Sequence, residues 1–193
     1  MQYNEGIDLG IKEGQKFDII ARKIYLSYPT KVFKDLHEIE FDVLDAISNF
    51  FKIPFTNVQV VGSAKTGYSY YQSKEFVLGG SDLDVAIISS DLFIRYTEMV
   101  YDVTRGYTEL TGFKDNKSID EYKYYLLKGM FRPDLMPNIP EKYEWFKFFN
   151  GLSKNYYELF NDINAGIYLS QFYFEKKQRK NIINYRNNLG VKK

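Results

Sequence analysis

From Thr30 onward, apolar residues recur at Phe33, Leu36, Ile39, Val43, Ile47 and Phe50. That is helical spacing with one buried stripe. Thr30 is a candidate N-cap, and the helix must stop before Pro54, since proline disfavours helix in the residue preceding it. Residues 57–61 (Asn-Val-Gln-Val-Val) read as a short β-branched strand ending at Gly62-Ser63. After a glycine-punctuated stretch, residues 83–88 form a second predicted strand. A helix then opens at Asp91-Leu92 and runs to about Thr104. Another covers 118–129 and ends before Arg132-Pro133, and 145–160 is mostly helical. Residues 163–169 are a possible third strand, and 171–188 a final helix. Residues 1–16 carry Gly6, Gly10 and Gly14 with no sustained apolar period, and they read as a loosely held arm.

Strands separated by helices place the chain in the α/β (α+β) class, with a small mixed sheet flanked by helices. With no internal repeat or low-complexity linker, residues 1–193 read as one domain. It comprises an N-terminal arm (1–29), a core (30–113) and a mostly helical C-terminal part (114–193) containing the possible strand at 162–169.

Composition narrows the chemistry. The 193 residues include no cysteine, which excludes disulfides, thiolate catalysis, iron–sulfur clusters and Cys-ligated zinc. A single histidine, His37, excludes a multi-histidine metal cage, and its place one step off the apolar stripe makes it a surface or boundary residue. No apolar run approaches the length of a membrane helix, and the N-terminus lacks a signal peptide's apolar core, so the expectation is a cytoplasmic protein with no membrane partner. What remains is carboxylates, hydroxyls and cations, a set suited to hard metals with oxygen ligands. The 18 Tyr and 16 Phe follow AT-rich codon usage as readily as any function.

Two stretches carry the candidate site. Asp82 and Asp84 lie two apart at the start of a strand, so their side chains leave one face while Leu83, Val85 and Ile87 face the core. Burying two like charges is costly without a cation to offset them. Upstream, a strand ending in Gly62 lets backbone approach a phosphate closely, Ser63 adds a hydroxyl, Lys65 adds charge, and a helix starting there would offer free N–H groups. Phosphates on one side and paired metals on the other describe a nucleoside triphosphate site.

In this order, a strand, Gly62-Ser63, a spacer and Ser81-Asp82-Leu83-Asp84 on the next strand resemble the nucleotidyltransferases of the DNA polymerase β superfamily. The resemblance covers residues 33 to 100 well and the remainder weakly. It implies the polymerase β-like fold, two Mg²⁺ (or Mn²⁺) ions on Asp82 and Asp84, and phosphate contacts from Gly62, Ser63 and Ser81. ATP would be the favoured substrate on the family's habits. It also implies transfer of a nucleoside monophosphate to a hydroxyl acceptor with release of pyrophosphate. Two departures stand out. The spacer is long, so residues 68–76 must form a loop over the site. The third carboxylate must come from a later strand, where Asp162 either serves the metal or merely ends the preceding helix; Glu109 is a weaker alternative.

Residues 171–193 hold seven basic residues and one acid, a surface for phosphates, nucleic acid or an acidic partner, or simply a solvated face. Arg132, in a backbone stiffened by Pro133 and Pro137, either contacts phosphate or pairs locally with Asp134; Lys128 shares both readings. Small bacterial proteins resembling this one include enzymes that nucleotidylate a partner protein and others that build nucleotide messengers or oligomers in phage defence. Beside the transferase reading stand an antitoxin-like module that binds, and neutralises or nucleotidylates, a toxin, and a nucleotide-binding regulator without catalysis.

Overall fold

The computed structural model describes residues 3–191, with side chains through residue 188. The chain runs α1 (Tyr3–Lys12), α2 (Phe17–Arg22), α3 (His37–Phe51), β1 (Val58–Val60), α4 (Gly62–Thr66), β2 (Tyr68–Ser69) and β3 (Lys74–Glu75). It continues through β4 (Leu83–Ile88), α5 (Ser90–Val103), α6 (Asn116–Leu126), β5 (Met130–Phe131), α7 (Pro140–Asn155), β6 (Ile163–Tyr168) and α8 (Gln171–Val191). This is a mixed α+β architecture. Its main sheet has the order β1-β4-β6-β5, with β4 and β6 parallel and the two outer pairs antiparallel; β2 and β3 form a separate hairpin.

The strand alternation splits the interior in two. Leu83, Val85 and Ile87 of β4 and Ile163 and Ile167 of β6 enter one core with α3, α5 and α7. Ala86 and Tyr168, on the opposite face, enter a second core with the N-terminal helices and α8. Each fully buried aliphatic side chain of β4 stabilises the fold by about 1.5–3 kcal/mol, and this short strand therefore anchors both layers.

The α3 helix begins at His37 rather than after Thr30. A 3₁₀ turn at Lys31–Phe33 precedes it, and the Thr30 side chain makes no capping hydrogen bond. The buried stripe is Val43, Leu44, Ile47 and Phe51. Phe50 instead lies at the surface, stacked on Phe148 with ring centroids 4.0 Å apart. The α7 helix starts earlier than the apolar spacing indicates, because Pro140 occupies its first turn with φ already suited to helix.

The largest departure is at the N-terminus. Residues expected as a loosely held arm form α1, α2 and a π-helical turn (Lys23–Ser27). Ile7, Ile20, Ala21, Ile24 and Tyr25 are buried with Phe174 and Ile182 of α8. Two of the glycines that suggested a loop, Gly6 and Gly10, are there for close packing, whereas Gly14, with φ of 68° and open space around it, makes the turn after α1. A Cβ on Gly10 would lie 2.7 Å from Cγ1 of buried Ile20, and one on Gly6 would lie 2.7 Å from the Tyr28 hydroxyl. Acidic and basic groups lock the same interface. Arg22 donates to Glu175 at 2.6 and 3.0 Å, and Asp18 pairs with Lys176 and, at 3.8 Å, with Arg179. Part of the basic character of α8 thus serves to hold α2. Lys192 and Lys193 lie outside the described residues.

Two alanine substitutions test this packing account. A Cβ added to Gly151 of α7 would meet no atom within 4 Å, so Gly151→Ala is expected to stabilise the protein by about 0.5–1 kcal/mol through helix propensity alone. Gly10→Ala gains the same propensity but overpacks Ile20 at a cost of about 1–3 kcal/mol, and is expected to be net destabilising. Urea denaturation of the two variants checks the opposite signs.

Candidate functional site

Because β1 runs antiparallel to β4, its exit lies beside the entrance of β4. Val60 pairs with Val85, and the Val61 N–H donates to the Asp84 carbonyl at 2.9 Å. Gly62-Ser63 is thereby set against Asp82-Asp84. Gly62 has φ of 65°, and a Cβ there would come within 2.6 Å of Asp84 Oδ2. Glycine is therefore required twice, for its left-handed conformation and for the approach of the carboxylate. The α4 helix does begin at Gly62, but five residues carry little of a long helix's dipole. Ser63 lines the same cleft.

No hydrogen bond from a described residue reaches the Asp84 carboxylate. The residue is exposed at the cleft surface, yet protein packs densely around its carboxylate. This partial burial, with a smaller contribution from the charge of Asp82, raises its pKa to about 6. Asp82 lies at the surface and accepts a hydrogen bond from Asn161 Nδ2 at 2.9 Å. The register of β4 and β6 places Asn164 directly beside Asp84.

Two clefts meet at this point, and Gly62, Asp84 and Asn181 line both. The first, about 260 Å³, is walled by Ser63, Ser81, Asp82 and the β2–β3 hairpin with Tyr68, Tyr71 and Lys74. The long spacer is thus a hairpin standing beside the carboxylates, as the loop expectation required. The second, about 540 Å³, extends past Asp162, Asn164, Arg132 and Lys177.

The expected site residues fare differently. Gly62, Ser63, Asp82 and Asp84 come together. Ser81 lies at the first cleft, but its hydroxyl also closes a turn by accepting from the Val77 N–H at 3.0 Å. Lys65 does not reach the cleft. Its side chain turns inward, is buried, and donates from Nζ to the Tyr28 carbonyl at 2.7 Å. Desolvation lowers its pKa to about 8. Two residues of helix, a rotation of about 200°, carry Lys65 to the opposite side of α4 from Ser63, and Lys74 on the hairpin is the lysine that lines the first cleft with Asp82 and Asp84. Arg132 lines the second cleft, paired to Asp134 at 3.1 and 2.5 Å and lying over the Tyr125 ring. Asp162 shares that cleft, but its Oδ1 accepts from Ser153 Oγ at 2.7 Å and from the Ile163 N–H at 2.9 Å. Glu109 is held by Thr111 in the loop after α5, away from both clefts. Among the described residues, no group of three His, Cys, Asp or Glu side chains converges to hold a metal ion. The residues that sequence reasoning missed are Lys74, Asn164 and Asn181. Asn164 was visible in the alternation that singled out Asp162, whereas Lys74 and Asn181 depend on tertiary placement.

No known family model, curated protein or solved structure matches the chain. The site therefore stands on its geometry.

That geometry has a pH signature. The folded protein holds the Asp84 proton more tightly than the unfolded chain does, so the group stabilises the fold fully below the ordinary aspartate value of about 4. This contribution is lost as pH rises to about 6. In urea denaturation at a series of pH values without metal, the stability of Asp84→Asn relative to the parent should rise across that window and then level off. A difference independent of pH would mean the carboxylate is not held in a partly desolvated position.

Proposed function

We propose that the chain is a metal-dependent nucleotidyltransferase of the polymerase β-like type, which moves a nucleoside monophosphate from a nucleoside triphosphate to a hydroxyl acceptor. The observation that carries this reading is the approach of the unpartnered Asp84 carboxylate to the Gly62 backbone, beside Ser63 and Asp82. A carboxylate that is partly desolvated, close to a second carboxylate and without a donor suits a divalent cation. Asp82 and Asp84 would hold the Mg²⁺ or Mn²⁺, whose contribution is to neutralise triphosphate charge and to lower the pKa of the attacking hydroxyl. Gly62 lets the phosphates lie against the backbone, Ser63 donates to them, and Lys74 adds positive charge from the hairpin. Asn181, reaching both clefts, is placed to contact either reactant. In the reaction the acceptor oxygen bonds to the α-phosphorus as the α–β bridging bond breaks. Pyrophosphate takes the electron pair, and the hydroxyl proton passes to water. The surroundings Tyr68 and Tyr71 offer the base flat faces rather than a hydrogen-bonding pattern, which suits any of the ribonucleotides, ATP included.

A second reading, a nucleotide binder without transfer, is favoured by one observation: Asp162 is engaged by Ser153 rather than turned toward Asp84. Nothing comparable favours the toxin-neutralising reading.

Incubation with each labelled nucleoside triphosphate and Mg²⁺ or Mn²⁺ separates the first two. The transferase reading expects pyrophosphate release that falls at least about a hundredfold in Asp82→Asn, Asp84→Asn and Gly62→Ala. Ser63→Ala should weaken triphosphate binding by about tenfold or more, the worth of a hydrogen bond to a charged group. Asp162→Asn should lower transfer only if that carboxylate leaves Ser153 during the reaction. Binding without pyrophosphate release, under every metal and nucleotide, would establish the second reading.

A further inference from the structure

The second cleft does not end at Arg132. Tyr125, Met130 and Lys177 are shared between it and a groove of about 360 Å³ running between the end of α6 and the start of α8. This size lies within the range of about 300–1,000 Å³ typical of ligand sites. The groove is built by a close approach: Gly129, with φ of 62°, follows α6, and the Tyr173 ring packs on its backbone where a Cβ would stand only 2.3 Å from the ring. On either side of this contact, cations and aromatic faces alternate. Lys128 Nζ sits 3.7 Å from the centroid of Tyr124, and Lys177 sits 5.1 Å from that of Tyr125. Tyr124 is 48% exposed and Phe172 is 60% exposed, which is high for rings that only fill a core.

The charge balance is one-sided. No acid lines the groove among the described residues, and three acids on neighbouring elements are already engaged: Asp134 with Arg132, Asp18 with Lys176, and Glu175 with Arg22. Among the described residues, Lys128, Lys177 and Lys180 have no carboxylate partner. Lys177 is partly desolvated and feels the repulsion of Lys180, Arg132 and Lys128, which together lower its pKa. Like charges gathered at one groove await an anion, and the exposed rings between them call for a ligand with flat faces.

We propose that this groove binds single-stranded nucleic acid, with phosphates on Lys128, Lys177 and Lys180 and bases stacked on Tyr124 and Phe172. Base stacking on aromatic rings needs no sequence pattern, and a lysine-lined track follows the backbone. The groove leads through Lys177 and Arg132 to Asp84, so a bound strand has a route to the carboxylates. The binding itself does not depend on the chemistry there.

The test is fluorescence anisotropy with a short labelled oligouridylate, no metal or nucleotide present, and with unlabelled duplex and polyglutamate as competitors. Saturable binding is expected, weakening with salt with a slope near −2 on logarithmic axes for three phosphate contacts, or about −0.7 for each. Lys177→Gln and Lys180→Gln should each lower that slope by about 0.7. Tyr124→Ala should weaken binding by about fivefold or more without changing the slope. Lys154→Gln, on the exposed surface of α7, should leave binding unchanged, and melting curves show that each variant is folded. Absence of binding at low salt, binding unaffected by the three groove variants, or displacement by polyglutamate as effective as by unlabelled oligouridylate would overturn the proposal. In all three cases a metal-dependent triphosphate site at Asp84 would stand or fall on its own assay.

Discussion

Asp84 leaves the start of β4 on the side where, among the described residues, no donor meets it, and the backbone of Gly62 approaches it closely. Everything around the site follows from keeping that carboxylate where it is. Leu83 and Val85, its neighbours, are buried in the main core, so β4 cannot rotate without exposing them, and Asp84 is held on the opposite face. β1 pairs antiparallel with β4 and returns Gly62-Ser63 to the same point, while β6 pairs parallel and brings Asn164 alongside. The sheet thus holds a charge in a partly desolvated place, beside the second carboxylate of Asp82 and the neutral groups of Gly62, Ser63 and Asn164. Such an arrangement costs stability in the absence of a cation and makes sense as a binding site.

The helices at the two ends of the chain serve this arrangement indirectly. α1, α2 and α8 cover the second face of the sheet just beyond Asp84, burying Tyr168 and Ala86. Asn181 of α8, which donates to the Tyr25 hydroxyl at 3.0 Å, is brought to the junction of the two clefts by that packing. Tyr70 of the hairpin is in turn buried against Tyr185 and bonds to Asn4 at 2.7 Å. The hairpin wall of the first cleft is therefore fastened to the N-terminal helix, and Lys65, through the Tyr28 carbonyl, fastens α4 to the same segment. The buried lysine that looked like a phosphate ligand acts instead as a tie between the glycine turn and its support.

Much of this was readable in the sequence, and the exceptions have physical causes. β4 and β6 were placed within a residue, because β-branched and alternating residues bounded by polar ones leave little choice of period. Gly62-Ser63 and Asp82-Asp84 were linked in the sequence by the order of motifs that resembles a known family, and the antiparallel pairing of β1 with β4 is what brings them together. Periodicity failed where glycine serves packing instead of turning: Gly6 and Gly10 sit inside α1, and nothing local signals that Ile20 and Tyr28 will press against them. Lys65 failed because a residue's spacing from a motif does not give its direction around a one-turn helix. Asp162 was placed correctly in the fold, at the head of β6, but its carboxylate is satisfied by Ser153, a residue whose proximity depends on where α7 ends.

The most direct test of the central claim is calorimetric titration of a non-hydrolysable nucleoside triphosphate analogue with and without Mn²⁺, in the parent and in Asp84→Asn. If Asp84, Asp82 and the Gly62-Ser63 turn form one site for metal and triphosphate, Mn²⁺ should tighten nucleotide binding in the parent by about tenfold or more, since each ligand then holds the other. Asp84→Asn should abolish that enhancement while remaining folded. Equal affinity with and without Mn²⁺ in the parent, or enhancement that survives in Asp84→Asn, would contradict the account.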